Sequence, residues 1–143
     1  MTETIKLKIE QGKYEEIEEL CKEMEITKLR DMMLNIAYET ESMSVYGFIV
    51  YMLQKNKNLE WLKLAIDVLL NPLCFIEGAY SIALFHARKI LDHETNVENL
   101  ERILFFYNIP EKLIDDEEAY CISEKILARE PDNKVALQIK HGF

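Results

Sequence analysis

The sequence predicts an all-α protein, and three observations carry that prediction. Apolar residues recur with a period of about 3.6 residues along nearly the whole chain. Only four glycines and three prolines interrupt the 143 residues. Strict alternation of apolar and polar residues, the pattern of a half-buried strand, occurs in one short segment. Long regular elements joined by short connections follow. The expected architecture is a compact, α-solenoid-like stack of about eight or nine helices in a single domain over residues 1–143.

The alternating segment comes first. In "TIKLKIE", Ile5, Leu7 and Ile9 fit a strand, but a lone strand among helices leaves its backbone groups without partners, so helix is preferred. "YEEIEELCKEM" places Ile17, Leu20, Cys21 and Met24 at i, i+3, i+4 and i+7, with glutamates on the other faces. "ITKLRDMMLNIAYE" aligns Ile26, Leu29, Met33, Ile36 and Ala37. From Tyr46 to Leu53 the chain is apolar all round despite Gly47, which marks a helix buried on most sides. Leu62, Ala65, Ile66 and Leu69 share a face that Asn71-Pro72 ends. Ala79, Ile82, Ala83, Ala87 and Ile90 form another, and Leu100, Ile103, Leu104 and Tyr107 the next. "DDEEAYCISEKILAREPDN" opens on acids and closes near Lys125 and Arg129, as the helix dipole favours. A last short helix is expected over 134–140.

Composition narrows the function. The net charge of −9 sets 26 acidic against 17 basic residues, a field that repels nucleic acid and anionic membranes and favours a basic partner. No apolar run is long enough to span a bilayer, and the start "MTETIKLKIEQG" lacks the apolar stretch of a secretion signal. A cytoplasmic protein is expected. Cys21, Cys74 and Cys121 are widely spaced with no CxxC pair. Each sits at or near an apolar helical position, where cysteine packs as a small hydrophobe, the alternative being a redox-sensitive thiol.

Catalytic constellations are not evident, and no enzyme, metal or cofactor is expected. His86 and His93 are seven residues apart on one helix, too far for the close helical spacing of two-histidine metal ligation. There is no Gly-x-Ser-x-Gly elbow and no glycine-rich phosphate loop. Asp115-Asp116 and Glu117-Glu118 supply helix-start charge. The aromatic side chains exceed what one stripe can bury: Phe105, Phe106 and Tyr107 together point around more than half a helix, so one of them must meet a neighbouring helix or solvent.

A short pattern is written twice. "GKYEEI" and "GAYSIA" put Gly12 and Gly78 between helices, where a residue tolerant of positive φ allows a tight reversal. Tyr14 and Tyr80 follow, each able to wedge between paired helices, and Ile17 and Ala83 lie a turn further on. At an offset of 36 residues, Ala83, Lys89, Ile90, Leu91 and Glu94 meet Ala119, Lys125, Ile126, Leu127 and Glu130. These stretches, with "ISEKILAREPDNKVAL", resemble the tetratricopeptide repeat family over the first two dozen residues and, loosely, 59–137. The resemblance implies degenerate helical hairpins stacked as in an α-solenoid. It departs from the family pattern at "IDDEEA", where glycine and tyrosine would stand, and at Thr95, which replaces the proline.

The stretch from "YSIALFHARKILDHETNVENLERILFFYNIPEKL" through "IDDEEAYCISEKILAREPDNKVAL" is similar to small all-helical bacterial immunity proteins encoded beside polymorphic or contact-dependent toxins. That resemblance implies a cytoplasmic protein that binds one cognate toxin domain, of a class in which many are basic nucleases, and blocks it. The acids expected to contact such a partner are Glu15, Glu18, Glu19, Glu39, Glu41, Asp115, Asp116 and Glu118, with Tyr38, Tyr80 and Tyr107 as aromatic anchors. The other reading is a tetratricopeptide-like adaptor, chaperone or regulatory module that holds a peptide segment.

Overall fold

The computed structural model describes residues 1–142, and among them every regular element is a helix. In chain order these are α1 (Thr2–Glu10), α2 (Tyr14–Leu20), α3 (Ile26–Thr40), α4 (Met43–Lys55), α5 (Leu59–Leu70), α6 (Ala79–His93), α7 (Val97–Asn108), α8 (Asp116–Arg129) and α9 (Lys134–His141). The chain divides into two compact units, Met1–Ala83 and Leu84–Phe143, with the boundary inside α6.

In the first unit α4 packs against α1, α2, α3 and α5. Its buried residues Val45, Phe48, Ile49 and Met52 sit in a core shared with Ile5, Ile9, Ile17, Met33, Ile36, Trp61 and Leu64. No residue between Ser44 and Leu53 is exposed, as the all-round apolar run requires. The alternating segment is α1: Ile5 and Ile9, one turn apart, are buried, and Leu7 on the opposite face is 53% exposed. Alternation over five residues fits a helix as well as a strand, and the neighbours α2 and α4 decide between them.

Gly47 is a point of close approach between α4 and α2. A Cβ there would collide with the Tyr14 hydroxyl oxygen and come within 3.3 Å of its Cζ. The hydroxyl lies 2.9 Å from the Ser44 carbonyl and 2.7 Å from Ser44 Oγ. Ser44 Oγ in turn donates to the Ile9 carbonyl at 2.5 Å, so one polar chain ties α2, α4 and α1 together. The Tyr14 ring meets Phe48 edge-on at 5.7 Å. Gly12 and Gly78 hold φ of +69° and +89° as the repeated pattern predicts, a region that costs other residues about 1–2 kcal/mol.

In the second unit α8 packs against α7 and α9. Leu100, Ile103, Leu104, Phe106, Ala119, Ile122, Ile126 and Ala136 are buried there. Side-chain N-caps start four of the later helices: Asn58 accepts from Glu60 N, Asn96 from Asn99 N, Asp115 from Glu118 N and Asn133 from Ala136 N, all at 2.8–3.0 Å. Each such cap is worth about 1 kcal/mol. The 36-residue offset also holds in burial: Ala83 and Ala119, Ala87 and Ser123, and Ile90 and Ile126 are all buried, while Lys89 and Lys125 are both exposed.

Three sequence expectations change. The second helix ends at Leu20, and Cys21 to Met24 form a turn; glutamates with no basic residue in its last turn oppose the dipole there. On α5 the buried face includes Trp61, Leu64 and Val68, and Leu62 is only half-buried. Of the three cysteines only Cys21 is buried. Cys74 lies in the turn after α5, and Cys121 faces outward one position past the buried stripe of α8, so neither packs as a hydrophobe.

Gly47→Ala should destabilise the protein, since overpacking costs about 1–3 kcal/mol and the helical preference of alanine offsets only about 1 kcal/mol. Urea unfolding of Gly47→Ala, Tyr14→Phe and the double variant checks this. The Gly47→Ala penalty should shrink in the Tyr14→Phe background; additive effects would show that the two residues do not compete for the same space.

Candidate interaction surfaces

Of the eleven residues singled out by sequence, three are tyrosines, and the eight acids separate into those that serve the fold and those that face outward uncommitted. In the first unit Glu18 accepts from Tyr51 Oη at 2.7 Å and from Lys55 Nζ at 3.3 Å, and the Tyr51 hydrogen bond, with Lys55, holds its carboxyl below the ordinary range. Glu39 pairs with Lys6 at 2.6 Å. Among the described residues Glu15, Glu19 and Glu41 make no ion pair, and all three are exposed. Tyr38, 59% exposed, precedes Glu41 by three positions at the end of α3. Glu41 itself closes that helix in the left-handed region at φ +53°, its N–H donating to the Ala37 carbonyl. Tyr80 is half-buried in the first turn of α6.

In the second unit Asp115 is consumed as the cap of α8. Glu118 takes both oxygens to Arg88, at 2.9 and 3.1 Å. Asp116 receives Tyr107 Oη at 2.8 Å and Lys112 Nζ at 2.9 Å. The Lys112 hydrogen bond first, then that from Tyr107, lowers its pKa. Lys112 also lies 5.1 Å over the Tyr107 ring. The same arrangement occurs in the first unit, where Lys55 sits 4.8 Å over Tyr51 and both reach Glu18. A tyrosine, a lysine and one carboxylate thus form a closed set twice.

Sequence reasoning passed over Tyr120. It lies on the outward face of α8 and is 42% exposed, its hydroxyl donating to the Lys140 carbonyl at 2.8 Å. The open face around Tyr120 is shared by Asp116, Glu117, Cys121, Glu124 and Lys125, all on α8. The signal was in the spacing: Glu117, Tyr120, Cys121 and Glu124 stand at i, i+3, i+4 and i+7, a stripe parallel to the buried one. Of the aromatic run on α7, Phe106 is buried, Tyr107 half-buried and Phe105 exposed.

No group of three metal-ligating side chains converges among the described residues, and no helix among them is long and apolar enough to cross a membrane. His86 is buried and His93 exposed. Comparison with protein-family models, curated proteins and solved structures gives no match.

Two measurements check this geometry. In the native protein Cys74 and Cys121 should react quickly with a thiol reagent, and Cys21, whose thiol burial pushes above its ordinary value, only after unfolding; a native count of three would contradict its placement. Burial also lowers the pKa of His86 from its ordinary value of 6.5. The unfolded chain therefore binds a proton that the folded one resists, and this part of the stability is full above about pH 6.5 and declines as pH falls below it. Urea titrations from pH 7.5 to 5 should show a shallower decline for His86→Gln than for the parent.

Proposed function

We propose that this chain is a protein-binding immunity protein: it captures a basic toxin domain and covers its active or binding surface. The observation that carries the reading is the uncommitted acidic surface, with exposed tyrosines mounted on helices. Glu15, Glu19 and Glu41 with Tyr38 in one unit, and Glu117 and Glu124 with Tyr120 in the other, are exposed. Exposed acids steer a basic partner and speed its approach. Desolvated aromatic anchors at the centre of an interface supply most of the binding energy. The similarity in style and size to helical immunity proteins supports the same reading, and the inhibition requires no catalytic step from this chain.

A second reading has its own observation. The matched burial of α6 and α8 at a 36-residue offset, together with the two glycine turns, favours a tetratricopeptide-like adaptor that binds a peptide segment. The net charge of −9 weighs against the common form of that adaptor, which presents basic side chains to a peptide carboxylate.

Co-expression with the C-terminal domain of the neighbouring upstream gene product tests immunity. The expected result is restored growth and a co-purifying complex that weakens steeply with added salt. Growth arrest with no complex would remove this reading and leave the adaptor ahead.

A further inference from the structure

We propose that the outward face of α8 docks an arginine-bearing segment of a basic protein, with the guanidinium laid on the Tyr120 ring between Glu117 and Glu124. The proposal rests on the protein-binding reading and names the chemistry its partner brings to this face. Tyr120 is held in place by its hydrogen bond to the Lys140 carbonyl, so its ring is ordered before anything binds. Glu117 is one turn before it and Glu124 one turn after, roughly 5–6 Å away between Cβ atoms. The face they line carries two unpaired carboxylates, Glu117 and Glu124, against the ammonium of Lys125, Asp116 being already paired with Lys112.

The chain itself shows what such a site accepts. Tyr51 with Glu18, and Tyr107 with Asp116, each hold a lysine from the same unit over the ring. Among the described residues no cation lies over the Tyr120 ring, and Glu117 and Glu124 make no ion pair. The matching component therefore comes from another molecule. Arginine fits better than lysine, because a planar guanidinium stacks on the ring while its edge donates to carboxylates on either side. A second acidic copy of this chain is disfavoured by like charge.

Cys121, exposed beside Tyr120, provides a local reporter. Fluorescein-labelled nonapeptides alternating alanine with arginine, lysine or citrulline are titrated into the full chain carrying Cys74→Ser, with anisotropy and Cys121 alkylation by iodoacetamide as readouts. The arginine peptide should bind tightest and slow alkylation several-fold, and the citrulline peptide should do neither. Tyr120→Ala should weaken arginine-peptide binding roughly five- to thirtyfold, and Tyr120→Phe much less. Glu117→Gln with Glu124→Gln, both exposed and outside the core, should weaken it and flatten its salt dependence. Equal binding by Tyr120→Ala, unprotected Cys121, or a lysine peptide binding as tightly as arginine would each overturn the proposal. A toxin complex that survives Tyr120→Ala would overturn it while leaving immunity intact. Tyr120-dependent arginine binding without any toxin complex would support it and count against immunity.

Discussion

The missing side chain of Gly47 is the constraint on which the first unit depends. Because α4 has no Cβ there, the Tyr14 ring passes close enough for its hydroxyl to reach Ser44. Ser44 then carries the connection on to the last turn of α1. The ring also stands against Phe48 and Tyr51, and Phe48 continues to Trp61 on α5. One glycine thereby fixes the distance between two helices, the position of an aromatic cluster and the satisfaction of a half-buried polar chain. It also reaches the surface, since Tyr51, held on its inner side by that cluster, presents its hydroxyl to Glu18.

This explains why the fold was legible in the sequence and much of the surface was not. Helices follow from spacing, and spacing is local: Ile17, Met33, Phe48 and Ile90 could all be assigned to buried positions from their neighbours alone. The glycine turns were equally readable, because Gly12 and Gly78 answer a backbone demand of the chain at that point. Gly47 could only be recognised as an irregularity in an apolar run, since its role is clearance for a residue 33 positions earlier. The outward turn of Cys74 and Cys121 likewise depends on which neighbours arrive. The acids divide on the same ground. Glu18, Glu39 and Glu118 find partners 30 or more residues away, so no local pattern could separate them from Glu15, Glu19 and Glu41.

That division matters for electrostatics. A count of carboxylates treats every acid as available to a partner, whereas a carboxylate already holding a lysine or arginine contributes little field beyond its pair. What remains includes Glu15 and Glu19 on α2, Glu41 at the end of α3, and Glu117 and Glu124 on α8, all exposed and without an ion pair among the described residues. Exposed pairs such as Lys6–Glu39 and Lys112–Asp116 add little to stability in water. Their clearer consequence is to leave the unpaired acids as the sites where a basic partner gains most.

Mounting those acids on capped helices has a thermodynamic consequence. A loop that orders on binding loses conformational entropy at that moment, whereas α8 begins at an Asp115 cap and lies between α7 and α9, so its outward side chains are already spaced. Lys112, just before it, holds φ +43°, a region unfavourable for lysine, while its ammonium reaches Asp116 and the Tyr107 ring. Glycine there would relieve the backbone but remove the ammonium that shares the Asp116 carboxylate with Tyr107. Lysine at this corner therefore closes one tyrosine–carboxylate pair within the chain, and Tyr120, one turn further along α8, is the exposed tyrosine of the second unit.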